Sequence, residues 1–218
     1  MPGGDPLAER LAAVRGRIEA AGRDPADVAI VAVTKGQPVA ACRAMVEAGQ
    51  RLLGENRVQE AVGKMDEVPG AEWHLVGHLQ TNKVRHAARF RLVQSLDSLR
   101  LAQALARAEG PAALLQVNVG REPQKHGVAP EAALQLGADA AELVDLRGLM
   151  AMAPLGRDPR PAFAELRRLR DEAEQRLGRA FPILSMGMSD DFEAAVAEGS
   201  TMVRLGRVLF GNVPSISI

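Results

Sequence analysis

Tyrosine is absent from these 218 residues, and cysteine and tryptophan occur once each. Without tyrosine no phenol is available as an acid or base. The single Cys42 excludes an internal disulfide, and its place in a helical apolar pattern with Val39, Ala40, Met45 and Val46 reads as a buried, inert thiol. Long hydrophobic runs are missing too. None approaches a membrane span, and the chain opens on Pro2, Gly3, Gly4 and Asp5 where a secretory signal would carry basic and then apolar residues. The expected location is therefore cytoplasmic. No sign of charge is in excess, since 27 basic residues balance 27 acidic ones, so neither a nucleic acid nor a membrane surface is expected as a partner. Linkers, low-complexity tracts and repeats are also lacking, and residues 1–218 read as a single domain.

What is present is alternation. Apolar runs of strand length fall at 28–34, 51–54, 72–77, 90–96, 113–119, 144–153, 182–188 and 201–210. Between them lie helical patterns at 38–49, 57–67, 81–88, 98–108, 130–142, 160–177 and 190–198. An amphipathic helix precedes them all, with Leu7, Leu11, Val14 and Ile18 on one face, Asp5 as N-cap, Pro6 at its first position and Gly22 near its end. Strand followed by helix throughout predicts a parallel sheet, and eight strands is the number that closes one. The expected fold is α/β, a single-domain (β/α)8 TIM-type barrel with an extra N-terminal helix. A doubly wound open sheet is the alternative, but its Gly-x-Gly-x-x-Gly fingerprint does not follow the first run, which ends in Thr34-Lys35-Gly36-Gln37-Pro38.

In such a barrel the chemistry sits at the C-terminal ends of the strands, with phosphate commonly bound after strands seven and eight. Residues 185–211 supply those two ends. Two apolar runs flank a short acidic helix that Ser189 or Asp190 can cap, with Glu193 at capping-box distance from Asp190 and Gly199 as a stop. Arg204 and Arg207 add positive charge. The spacing from Gly206 to Gly211 lacks the Lys-Ser/Thr of a nucleotide P-loop, so an anion site and a buried strand pair both remain open. The other strand ends offer Lys35, Glu55 with Asn56, His78, Ser95 with Asp97, Asn118, and Met152 with Pro154. Lys35 follows a wholly apolar strand. It reads either as a solvated strand-end lysine or as a partly buried amine, with its pKa lowered, that can attack an aldehyde. His74 and His78 bracket Leu75, Val76 and Gly77 without further ligands at recognisable spacing, so no metal is expected. Ser95 and Ser185 lack a Gly-x-Ser-x-Gly setting, which argues against hydrolase chemistry.

Ala32-Val33-Thr34-Lys35, Gly54-Glu55-Asn56-Arg57, the stretch from Trp73 to Gln80 with Asn82 and Lys83, Gly148-Leu149-Met150, and residues 185–211 together resemble the pyridoxal phosphate homeostasis family. Its members are single-domain barrels similar to the N-terminal domain of alanine racemase, and the match runs in order from about residue 28 to 211. The resemblance implies pyridoxal 5′-phosphate (PLP) held as a Schiff base on Lys35. It places the phosphate against Ser185, Gly206 and Arg207, largely through backbone donors, Asn56 along the ring and Arg204 at the pyridine nitrogen. An arginine only donates, so it leaves that nitrogen unprotonated and weakens the electron sink. The implied function is a PLP-binding protein of vitamin B6 homeostasis that buffers or delivers the cofactor, with PLP-dependent apoenzymes as partners, a monomeric state and no catalytic residues.

Two enzymatic alternatives remain. Racemases resembling this chain use the same lysine and arginine, but their second base is a tyrosine from an added domain of a partner subunit. A Schiff-base aldolase acting on a sugar phosphate would use the same lysine and phosphate cup. Lys125 is a candidate secondary PLP contact or an ordinary loop lysine. Gly36 and Gln37 depart from the family's usual residues beside the lysine.

Overall fold

Eight parallel strands close into one barrel in the computed structural model, which describes residues 6–211. They are β1 (Ala29–Val33), β2 (Leu52–Glu55), β3 (Glu72–Leu75), β4 (Leu92–Leu96), β5 (Ala112–Val117), β6 (Leu146–Ala151), β7 (Ile183–Ser185) and β8 (Met202–Leu205). Spatial order follows chain order, and β8 returns to β1 with Val31 opposite Arg204. The helices are α1 (Pro6–Ala20), α2 (Val39–Glu47), α3 (Val58–Met65), α4 (Leu99–Arg107), α5 (Pro130–Ala141), α6 (Arg160–Leu177), α7 (Phe192–Ala197) and α8 (Arg207–Phe210). The link from β3 to β4 is a run of 3-10 turns over Thr81–Arg89 rather than an α-helix.

Alternation along each strand sorts side chains between two cores. Ile30, Ala32, Leu53, Trp73 and Leu75 point outwards into the large layer beneath the helices, where α6 brings Phe163, Leu166 and Leu169 at helical spacing. Each such apolar side chain contributes roughly 1.5–3 kcal/mol on burial. Val31, Leu92, Leu114, Met150 and Met202 point inwards and fill the barrel. The inward set turns polar near the C-terminal ends of the strands.

The last predicted strand, 201–210, is a strand only to Leu205. Gly206 leaves the extended conformation at φ −115° and ψ −73°, and its carbonyl accepts from Leu209 N and Phe210 N, which starts α8. A short apolar run suits a buried strand or a buried helical turn equally, which is why the sequence pattern misled there. With four residues, α8 is too short to cover the seam between β8 and β1. The N-terminal helix does so instead: Leu11, Val14 and Ile18 of α1 are buried, and the Arg10 guanidinium donates to Leu209 O at 2.8 Å. The proposed Asp5 cap lies outside the described residues.

The helix expected at 190–198 is α7, flanked by Asp191. Neither Ser189 nor Asp190 caps it. The Asp191 carboxylate instead accepts from Met188 N at 2.6 Å, Asp190 pairs with Arg207, and Glu193 bonds Arg17 Nε of α1 at 2.6 Å.

Candidate functional site

A chain of buried polar side chains crosses the barrel beneath its C-terminal mouth. Arg204, on β8, is 5% exposed and donates through Nη1 to Ser185 Oγ at 2.7 Å and through Nη2 to Ala151 O at 2.8 Å. Ser185 donates in turn to Gln94 Oε1 at 2.7 Å, and the Gln94 amide nitrogen lies 3.0 Å from His74 Nδ1. An arginine only donates, so Ser185 Oγ accepts from it; with Ser185 donating to Gln94 Oε1, the Gln94 amide N–H faces and donates to an unprotonated Nδ1. Burial and the Arg91 cation agree with that assignment, holding His74 down at about 4. Burial also lowers the Arg204 guanidinium to about 10, opposed by the Asp191 carboxylate, so it remains a cation at neutral pH.

Lys35 follows β1, and continuing the inward alternation of Ala29, Val31 and Val33 puts it on the mouth side. Its side chain is exposed, in line with the solvated of the two readings and against the partly buried one. Asn56 is likewise exposed at the end of β2. Gly77 explains how the next strand fits beside it: a Cβ there would stand 2.2 Å from Asn56 O.

Behind Lys35, on the outer side of the barrel, lies a charged cluster that the sequence reading passed over. Lys64 of α3 is 7% exposed and Glu55 is fully buried, with Lys64 Nζ 2.7 Å from Glu55 Oε1 and 2.8 Å from Glu60 Oε1. Thr34 Oγ1 donates to Glu55 Oε1 at 2.6 Å. Burial raises the Glu55 carboxyl above its usual range, against the bonds from Lys64 and Thr34. Burial works to lower Lys64, but its two carboxylate partners outweigh it and keep the ammonium charged. The available signal was position, since Lys64 shares the helix face of Val58 and Ala61, both buried. Cys42 is buried nearby, and burial raises its thiol.

Across the seam, Ser185 is fully buried and its hydroxyl is committed to the relay; a phosphate contact through backbone donors does not draw on that hydroxyl. The hydroxyl beside α8 is that of Ser189, which accepts from Val208 N at 3.3 Å. Gly206 begins α8, and Arg207 is exposed and paired with Asp190. Gly187 is held at φ +96°, with Phe192 Cα 2.9 Å from where a Cβ would be, and this tight approach carries β7 into the loop before α7.

The opposite wall carries the remaining strand-end residues. Ser95 donates to Gly77 O at 2.7 Å, and Asn118 Oδ1 accepts from Glu122 N at 3.2 Å, so both brace loops. Lys125 Nζ pairs with Glu122 Oε2 at 2.5 Å and is not a free loop lysine. Met152 and Pro154 are half-buried beyond β6. His78 Nδ1 lies 3.2 Å from Asp97 Oδ2, beside an open recess of about 260 Å3, and His126 stacks on His78 with centroids 4.0 Å apart and planes 8° apart. An imidazole ligates through a lone pair in its ring plane, so these parallel rings do not converge on one ion.

A parallel barrel with a lysine after its first strand and a donor-only arginine on its last defines the class, and the family model of the alanine racemase N-terminal domain matches residues 7–214. The Pseudomonas aeruginosa pyridoxal phosphate homeostasis protein is 44% identical over 220 residues, covering 94% of this chain and 95% of that protein. Its Escherichia coli K12 counterpart is 41% identical over 232 residues, covering 94% and 96%. PipY of Synechococcus elongatus is 40% identical and covers 94% of this chain and 100% of its own, with a TM-score of 0.86 without PLP and 0.84 with PLP bound. Alanine racemase from Clostridium difficile, 16% identical with a TM-score of 0.73 over 99% of this chain and 62% of its own, shares the fold. The chain belongs to the alanine racemase N-terminal domain family and, within it, to the pyridoxal phosphate homeostasis proteins. Those relatives carry names of homeostasis proteins rather than of enzymes.

Proposed function

We propose that this protein binds pyridoxal 5′-phosphate in the cytoplasm and maintains its supply to enzymes that need it, acting as a monomer without turnover of its own. The observation that carries this reading is Arg204, a buried cation with donors only, on the strand beside the one that leads into Lys35. PipY, at 40% identity, was solved with PLP bound.

The donor set fits the cofactor. Lys35 offers the amine for covalent attachment, Asn56 lies along the mouth, and Gly206, Arg207 and Ser189 gather at the start of α8 where an anion is favoured. Ser189 adds a hydroxyl beside the contacts expected of Ser185, Gly206 and Arg207. When bound, the cofactor supplies an aldehyde open to amines and a ring able to withdraw electrons. Arg204 works against that withdrawal, because it has no proton acceptor and its charge opposes a protonated ring nitrogen. With no tyrosine among the 218 residues, the phenolic second base of the racemases is also missing. Binding without efficient carbanion chemistry is what these residues favour.

The test is an absorbance spectrum of the protein with PLP, followed by borohydride reduction and peptide mapping. The expected result is a reducible near-visible band and a pyridoxyl label on Lys35, lost in Lys35→Ala while some non-covalent affinity persists. A colourless protein that PLP cannot load would overturn the proposal.

A further inference from the structure

Lys35 is exposed, yet both peptide groups beside it are tied to the charged cluster behind the strand. Lys64 Nζ places its three donors on Thr34 O at 2.9 Å, Glu55 Oε1 at 2.7 Å and Glu60 Oε1 at 2.8 Å, which saturates the ammonium. Thr34 O belongs to the peptide that precedes Lys35. Glu60 Oε1 also accepts from Gly36 N at 2.6 Å, and that N–H belongs to the peptide that follows. Thr34 N is pinned to Gly54 O at 2.9 Å as well. One ammonium and one carboxylate thus grip the backbone on either side of a residue whose own side chain is exposed.

We propose that Lys64 and Glu60 are positioning residues for Lys35, holding its backbone so that the amine is presented to an aldehyde in the mouth. The inference rests on Lys35 being the point of PLP attachment. Charge-assisted hydrogen bonds are the stronger kind, and here they fix the main chain, so the flexible lysine side chain pivots about a defined Cα. A group so placed affects covalent capture through geometry, while the anion donors at α8 lie on β8's side of the seam and are untouched. The cluster also carries two carboxyls against one ammonium, and Glu55 Oε2 is buried without a partner among the described residues. Neutralising Glu60 therefore changes the charge behind Lys35 as well as its geometry.

Glu60 is half-buried on the surface of α3, so its variants leave the core intact. The probes are PLP, for covalent capture, and pyridoxine 5′-phosphate, which has the phosphate and ring but no aldehyde. Glu60→Ala should slow borohydride-trappable labelling of Lys35 by about tenfold or more, the scale of a small misplacement of a reacting group. It should also shift the pH midpoint of labelling and leave the affinity for pyridoxine 5′-phosphate unchanged. Glu60→Gln, which keeps an acceptor for Gly36 N, should recover most of the rate. Labelling of Lys35 at the wild-type rate and midpoint in Glu60→Ala overturns the inference. So does an equal loss of pyridoxine 5′-phosphate affinity, which marks a general structural role. Absence of label on Lys35 in the wild-type protein overturns the underlying PLP reading instead, so the two failures are distinct.

Discussion

Lowering the pH should weaken the fold through His74, by an amount its burial sets. Its folded pKa of about 4 lies below the usual value of about 6.5 because burial, with Arg91 adding, penalises the cation. The unfolded chain therefore binds the proton more readily, and stability is complete above pH ~6.5 and declines as pH falls towards 4. A difference of about 2.5 units corresponds to roughly 3.4 kcal/mol at full protonation. At pH 5 linkage puts the loss at about 2 kcal/mol, a sizeable share of a typical domain's ~5–15 kcal/mol. His74→Asn retains an acceptor for the Gln94 amide but cannot titrate. Urea unfolding of both proteins at pH 8 and pH 5 isolates the effect, because other groups contribute alike to both. The stability gap between them should shrink by about 2 kcal/mol at the lower pH. Parallel declines would refute the neutral His74 and, with it, the direction assigned to the relay.

Ser185→Ala should cost about 1–3 kcal/mol in urea unfolding, since Gln94 and Arg204 lose a shared partner, whereas Ser189→Ala should weaken PLP binding with little effect on unfolding. The reverse pattern would assign the phosphate-side hydroxyl to Ser185. Arg204→Glu should weaken PLP binding and destabilise the barrel, read by titration and by melting temperature, because it buries an anion beside Ala151 O. Gly187→Ala combines a positive φ with a Cβ 2.7 Å from Ala195 Cβ and should cost about 2 kcal/mol or more; an unchanged melting temperature would show that α7 yields freely.

The strands were legible because parallel strands buried on both faces read as plain apolar runs, and their count gave closure. The end of β8 was not, since 201–210 carries no polar break where Gly206 turns the chain into α8. Lys35 and Arg204 stood out as charges beside or within such runs. The relay did not, because its members lie 20, 91 and 19 residues apart on different strands, and only closure brings them together. The commitment of the Ser185 hydroxyl was hidden for the same reason, since its partners sit on β4 and β8. Nothing in the sequence singled out Lys64, whose partner Glu55 lies on a different element and is buried by the fold.

The seam between the first and last strands is also where the two halves of the proposed binding site meet. Lys35 stands on one bank and Arg204, Gly206 and Arg207 on the other, joined by pairs such as Val31 with Arg204 and by Arg10 reaching Leu209. These contacts span nearly the whole described chain, the kind of closure that comes late and slowly in folding. During synthesis Lys35 emerges early and waits for its opposite bank. A ligand bridging the two would act as a staple on the last-formed joint, favouring the closed barrel by about 2.7 kcal/mol when present at a hundred times its dissociation constant. The abundance of the folded protein would then follow the supply of the molecule it keeps.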